Sequence, residues 1–262
     1  MSGERLREAV YGAANVVLAR FPPSAPLILA FRRVPEAPHF SRYLDVLRRL
    51  GRRPVPLQAV AAWARGTGPL VPGAVALTFD DGYRSQRENA ALVLRQAGAP
   101  ATFFAVAGAL GGTAFWRPPT AGEEDGAPLM TADDLAALAA DGFEIGSQST
   151  SHRYLAYLRP EDRRLEIEEG KARLEAVTGS PVRAFRYPFG SFDREVVRQV
   201  EAAGFTAAVA EGSGVVRADD LPLLLPRVEI PGGALGRHRF AGHVRGSATP
   251  LKVLARLLPR LT

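Results

Sequence analysis

Residues 74–83 read AVALTFDDGY, and the fold turns on this stretch. Its first six residues, Ala74–Phe79, form an unbroken run of small, apolar and β-branched side chains. That is the pattern of a strand covered on both faces, as in a parallel sheet with helices around it. The run stops abruptly at Asp80-Asp81-Gly82. Adjacent carboxylates at a strand end repel each other, so a cation or a shared proton must hold them. One could bind a metal while the other acts as a base. Asp-Asp-Gly is equally good turn chemistry, and taken alone the stretch leaves site and turn open.

Working outward, short apolar runs alternate with longer amphipathic ones. Pro26–Phe31 (PLILAF) predicts a strand. Phe40–Leu50 predicts a helix, with Leu44, Leu47 and Leu50 on one face and Gly51 as its stop. Pro54–Leu57 predicts a short extended piece and Gln58–Arg65 a helix. After the double aspartate come a helix over Ser85–Ala97 and a strand over Ala101–Val106. Thr131–Ala140 predicts a helix capped by Thr131, with Asp134 three residues on. Phe143–Gly146, Ala184–Tyr187, Thr206–Ala210 and Leu225–Ile230 predict strands. Pro160–Thr178 and Asp193–Ala203 predict the helices between them. Such alternation argues for a parallel sheet, open or closed into a barrel. In both forms, sites gather beyond the carboxyl ends of the strands.

Two further strand ends carry residues suited to chemistry. After Phe143–Gly146 comes Ser147-Gln148-Ser149-Thr150-Ser151-His152. A lone His is more often a packing residue than a ligand. Ala184–Tyr187 is followed by Pro188-Phe189-Gly190. Arg186 in that strand could hold a carboxylate through two parallel hydrogen bonds, or form a structural ion pair. His39 follows the first strand, and a packing role is favoured for it.

Taken together and in this order, the three segments resemble the polysaccharide deacetylase family, the NodB-homology domain of carbohydrate esterases. Leu77–Tyr83 (LTFDDGY) matches its most specific motif, and Arg186, Pro188, Phe189 and Gly190 match its Arg-x-Pro-aromatic-Gly motif. The resemblance runs from about Pro26 to Ile230. It implies an α/β fold, a distorted (β/α) barrel of about seven strands; the segments outside it are expected to add extra N- and C-terminal helices. It implies removal of acetyl groups from an acetylated glycan or glycolipid precursor, with one divalent metal, zinc or another, as cofactor. Carried over residue by residue, Asp80 would be the general base, Arg186 would hold it, and the Phe189 backbone N–H would meet the oxyanion. Asp81 and His152 would be metal ligands. Tyr187, Trp116 and Arg32 are the candidate substrate contacts.

Two positions depart from the pattern. Gln148 stands where the family usually has His, four residues before His152. An amide oxygen suits calcium or magnesium better than zinc, so Gln148 is either a weak third ligand or a sign that the metal is lost. Phe31-Arg32 stands where related members have Tyr-His, whose His protonates the leaving group. Arg cannot give up a proton near neutral pH. Three functional expectations therefore stand side by side. The first is a metal-dependent deacetylase. The second is a catalytically impaired homologue that binds a glycan or partner enzyme. The third is altered chemistry, with Arg32 and Arg186 clamping an anionic substrate.

Composition bounds the rest. The 262 residues include no Cys, which excludes disulfides, thiolate metal sites and cysteine nucleophiles. The net charge is +6, but residues 54–226 sum to −6 while residues 1–53 and 227–262 sum to +6 each. A basic excess confined to the ends argues against nucleic acid as partner. Residues 1–25 and 231–262 both read as basic amphipathic segments flanking a 26–230 domain. They would pack across the barrel or rest on an anionic membrane surface bearing a lipid-linked saccharide. The expected location is the cytoplasm, at the inner face of the membrane if the ends dock there. The oligomeric state is not readable.

Overall fold

The computed structural model of the chain describes residues 24–116, 126–211 and 214–246. Its strands are β1 (Leu27–Phe31), β2 (Arg53–Pro54), β3 (Ala74–Phe79), β4 (Thr102–Ala105), β5 (Glu144–Ser147), β6 (Ala184–Arg186), β7 (Ala207–Val209) and β8 (Val228–Ile230). All pair in parallel, in the order β7-β6-β5-β4-β3-β1-β8, with β2 beside the start of β3. A single parallel bridge, Val209 to Leu225, joins the two edges. Pro226 follows directly. It has no N–H to donate, and the chain leaves β7 there before pairing with β1 from Val228 onward. The result is a distorted (β/α) barrel, closed by one strand bent at a proline.

Strand alternation sorts the side chains. One parity (Ile28, Ala76, Phe104, Ala184, Val209 and Leu225) packs inside the barrel with Leu57, Val60 and Ala61 of the helix Leu57–Ala64. That helix stoppers the end where the strands begin. The other parity, including Leu29, Leu77, Phe103, Ile145 and Phe185, packs outward under the surrounding helices. Burying such side chains contributes about 1.5–3 kcal/mol each. The lumen is narrow, and Phe104 fills it by lying across Gly146 on the neighbouring strand. A Cβ on Gly146 would come within 2.4 Å of the Phe104 ring.

Local differences from the sequence reading have plain causes. The helix expected over Phe40–Leu50 begins earlier, at Ala37, because Pro38 in the first turn needs no backbone partner. The helix expected over Ser85–Ala97 runs through three segments, Arg84–Gln86, π-helical Arg87–Ala91 and Leu92–Gln96. The Thr131–Asp134 capping box is present in full. The helix Arg237–Arg245 packs on β8 and on helix Ala37–Arg49, with Phe240 stacked on Tyr43 at 4.1 Å. The amphipathic patterns over residues 1–23 and 247–262 lie outside the described residues. No helix among the described residues is long and apolar enough to cross a membrane.

Candidate active site

The lumen parity that is apolar lower down becomes charged at the carboxyl ends. Arg32 follows Ile28 and Ala30 on the first strand. Asp80 follows Ala76 and Thr78, Gln148 follows Gly146, and Arg186 follows Ala184. Arg227 and Glu229 follow Leu225. Alternation alone therefore gathers residues from five strands around one mouth. There Arg32, Asp80, Arg186, Arg227 and Glu229 line a cavity of about 200 Å³ with Glu211.

Asp80 is buried and held by two guanidiniums. Arg227 donates to both carboxylate oxygens, Nη1 to Oδ1 at 2.6 Å and Nη2 to Oδ2 at 2.8 Å. Arg186 Nε donates to Oδ2 at 3.1 Å, and its Nη2 reaches Glu211 at 3.1 Å. Burial alone would push the Asp80 carboxyl up. The charges of Arg227 and Arg186 outweigh it and hold the group well below the ordinary carboxylate range. Gln86 fixes the backbone beneath, donating to the carbonyls of Asp80 (2.6 Å) and Arg32 (2.8 Å). Arg227 escaped the sequence reading. The available signal was its place in an expected strand, two residues from Glu229, because a charge carried into a barrel by a strand demands a partner.

Asp81 turns away from Asp80 because its backbone is left-handed, φ 73°. That places its N–H on Gln148 Oε1 at 3.0 Å. Its Oδ2 faces Arg32 Nε at 3.2 Å. Gln148 Nε2 then lies 2.7 Å from Asp81 Oδ1 and 2.7 Å from His152 Nε2. The amide orientation is forced, since reversing it would set NH₂ against the Asp81 N–H and an oxygen against the carboxylate. His152 Nε2 itself lies 3.5 Å from Asp81 Oδ1.

His152 is placed by a tightly tied loop. Ala107 N–H donates to Ser149 O (3.1 Å) and Gly108 N–H to Thr150 O (2.8 Å). Glu166, on the helix Pro160–Thr178, accepts from the Thr150 N–H through its carbonyl (3.0 Å) and from the Ser151 N–H through its carboxylate (2.8 Å). Gly170 on the same helix lets the loop approach, and a Cβ there would sit 2.8 Å from the Ser149 carbonyl carbon. Gly170→Ala is expected to cost about 1–3 kcal/mol through this overpacking, read as a lowered midpoint in urea unfolding. Of five non-glycine residues with positive φ among the described residues, four surround this site: Asp81, Ser149, His152 and Phe189. Each such conformation costs on the order of 1–3 kcal/mol and persists only where the surroundings enforce it.

The other expected residues divide. Trp116 stacks on the His152 ring at 4.6 Å, and Phe189 meets that ring edge-on at 4.5 Å. Tyr187 is not brought to the mouth. It is fully buried, with its hydroxyl on Leu223 O at 2.8 Å. His39 is also held away from it, its ring bonded to Leu235 O at 2.7 Å.

A divalent metal needs lone pairs converging from Asp81, His152 and a third residue. Here the third residue directs hydrogens at both of the others, and its oxygen is engaged by a backbone N–H. The Arg32 guanidinium occupies the second oxygen of Asp81. No cluster of three His, Asp or Glu among the described residues could hold a metal ion. In this arrangement the residues do not fit the metal, and no chemical step is drawn through one.

Comparison with known proteins agrees with this architecture. A family model described as polysaccharide deacetylase matches residues 67–208. YxkH of Bacillus subtilis (strain 168), a polysaccharide deacetylase by assignment, is 25% identical over 162 residues, 62% of this chain. The chain spans about half of that relative's length, 53%. Among solved structures, IcaB from Ammonifex degensii aligns with a TM-score of 0.73 at 22% identity, covering 86% of this chain and 98% of that one. The Streptococcus pyogenes deacetylase PplD, solved with acetate, aligns at 0.70 and 18% identity, covering 87% and 100%. At these identities the structural likeness speaks for the fold.

Proposed function

The chain belongs to the polysaccharide deacetylase family, and on that premise we propose that its barrel mouth binds acetylated carbohydrate without hydrolysing it by the family's metal chemistry. One observation carries the second half: the Gln148 amide nitrogen lies between Asp81 Oδ1 and His152 Nε2. The Asp80 carboxylate supports the same reading. Two guanidiniums stabilise its ionised form, which makes it a reluctant proton acceptor.

The cavity supports the ligand class. Three guanidiniums (Arg32, Arg186 and Arg227) alternate with three carboxylates (Asp80, Glu211 and Glu229). Such a lining is balanced in charge and dense in donors and acceptors, which suits a neutral polyhydroxylated molecule better than an anion. The acetylated glycan and lipid-linked saccharide remain candidates within that class. The test pairs calorimetry with acetate release, on N-acetylated oligosaccharides with added zinc or cobalt. Binding without release is expected. Acetate release that vanishes in Asp80→Asn would overturn the non-hydrolytic reading and favour a metal-dependent deacetylase.

A further inference from the structure

The two basic stretches of the sequence are far apart in the chain and adjacent in the fold. β1 pairs with β8, Leu29 beside Val228 and Phe31 beside Ile230. The helices that follow them, Ala37–Arg49 and Arg237–Arg245, pack on each other along the barrel flank, with Phe240 stacked on Tyr43 at 4.1 Å. Each buries one face, through Phe40, Tyr43 and Leu47 on the first and Phe240 and Val244 on the second. The outer faces carry Arg42, Arg48 and Arg49, and Arg237, His238 and Arg239, all exposed.

This flank is charged with one sign. Residues 24–53 hold seven arginines against Glu36 and Asp45, and residues 227–246 hold four against Glu229. Residues 126–211, which carry β5 to β7, hold fourteen acids against ten basic groups. There the surface arginines are matched locally, as Arg173 is by Glu169 at 3.2 Å. On the basic flank Arg48 meets Asp45 at 3.1 Å. No ion pair joins Arg42, Arg49, Arg237 or Arg239 to an acid among the described residues. Gathering like charges on one face costs stability through self-repulsion, and an anionic surface opposite removes that cost.

We propose that the flank formed by these two helices docks on an anionic phospholipid surface. Two helices side by side present a broad patch and not a cleft, which suits a plane of headgroups. Lipid is favoured over a soluble polyanion by the sequence at both junctions. Residues 1–23 lead into β1, and the Ala25 carbonyl is held by Arg52, just past the helix Ala37–Arg49, at 2.5 Å. Residues 247–262 follow directly on the helix Arg237–Arg245. The first stretch interleaves Arg5, Arg7 and Arg20 with Leu6, Val10 and Val17, and the second interleaves Lys252 and Arg256 with Leu251, Leu254 and Leu258. Apolar residues add lipid affinity to the attraction of basic ones for anionic headgroups; a soluble polyanion has no use for them. Both helices start beside the mouth and run back toward the strand starts. Docking therefore lays the barrel on its side, with the mouth opening along the bilayer.

The full chain is sedimented with vesicles of phosphatidylglycerol and phosphatidylcholine in equal parts, and with phosphatidylcholine alone. Binding is expected to the mixed vesicles at about 0.1 M salt and to vanish near about 1 M, where the screening length falls from about 10 Å to about 3 Å. Each basic residue near an anionic surface contributes on the order of fivefold in affinity. Arg42→Glu with Arg239→Glu is therefore expected to weaken binding by about 25-fold or more. Arg173→Glu with Arg198→Glu changes the net charge equally on the other flank and should leave binding within about threefold, because those sites lie beyond the screening length. Arg42→Gln with Arg239→Gln repeats the test without adding acids, should the reversal disturb folding. All three variants should keep the parent's affinity for acetylated oligosaccharide, so the outcome is separate from that of the proposed function. Equal binding to phosphatidylcholine alone, equal weakening by both charge-reversed pairs, or tighter binding to a DNA duplex than to the mixed vesicles overturns the proposal.

Discussion

Zinc is expected to raise the melting temperature of Gln148→His by about 5–10 °C and to leave the parent chain unmoved. The substitution replaces a donor with a lone pair at the point between Asp81 Oδ1 and His152 Nε2, each 2.7 Å from the present amide nitrogen. Two imidazoles and a carboxylate are a ligand set that zinc accepts. At a zinc concentration about a hundredfold above Kd, binding to the folded state alone contributes about 2.7 kcal/mol. For a chain of this size each kcal/mol moves the midpoint by about 2–4 °C. Arg32 will still compete for Asp81 Oδ2 from 3.2 Å. Adding Arg32→His removes that competing charge and is expected to tighten zinc further. Thermal shift with zinc and chelator reads both variants without any assay of activity. A parent chain stabilised as strongly as Gln148→His would show that the amide swings aside, and the proposed function would fall with it.

Arg227→Met is expected to destabilise the fold by about 3–5 kcal/mol. Removing one member of a buried pair leaves the other charge uncompensated, and that penalty exceeds what the pair contributes. Arg227 supplies two of the three guanidinium bonds to Asp80. Arg186 remains in the variant, which sets the expectation near the lower end of the range. The double change Asp80→Asn with Arg227→Met should cost less than the sum of the single changes, because it removes charge and counter-charge together. The pH dependence has a definite sign. The Asp80 carboxyl lies below its ordinary range when folded. Its stabilisation is therefore complete above the ordinary carboxylate value and is lost as pH falls through the depressed folded value. In Arg227→Met the folded value rises toward the ordinary one, so the acid-dependent loss should be smaller and should end at a higher pH. Urea unfolding of parent, single and double variants across acid pH measures all of this. A loss below about 1 kcal/mol in Arg227→Met would show that Arg186 alone suffices.

Much of the site was legible because alternation in a parallel strand is a local property. Asp80 and Arg186 could be placed at strand ends from sequence spacing, and their 3.1 Å contact follows from that placement. Tyr187 could not be placed so. It adjoins Arg186, and a strand sends neighbours to opposite faces, which carries Tyr187 outward into the core. Arg227 was missed because its partner is 147 residues away and its strand is bent at Pro226.

The sequence by itself determined the alternating parallel architecture, the family motifs and the two departures at Arg32 and Gln148. These rest on residue identity and on periods of two and 3.6, which neighbouring residues set. Only the tertiary structure decided what Gln148 does. Its spacing from His152 allows an oxygen or a nitrogen to face the site. The choice is made by the left-handed backbone of Asp81, 67 residues distant, whose N–H claims the oxygen and leaves the nitrogen turned inward. A hydrogen bond between remote segments has no periodicity, and it is that bond which separates a metal ligand from a donor.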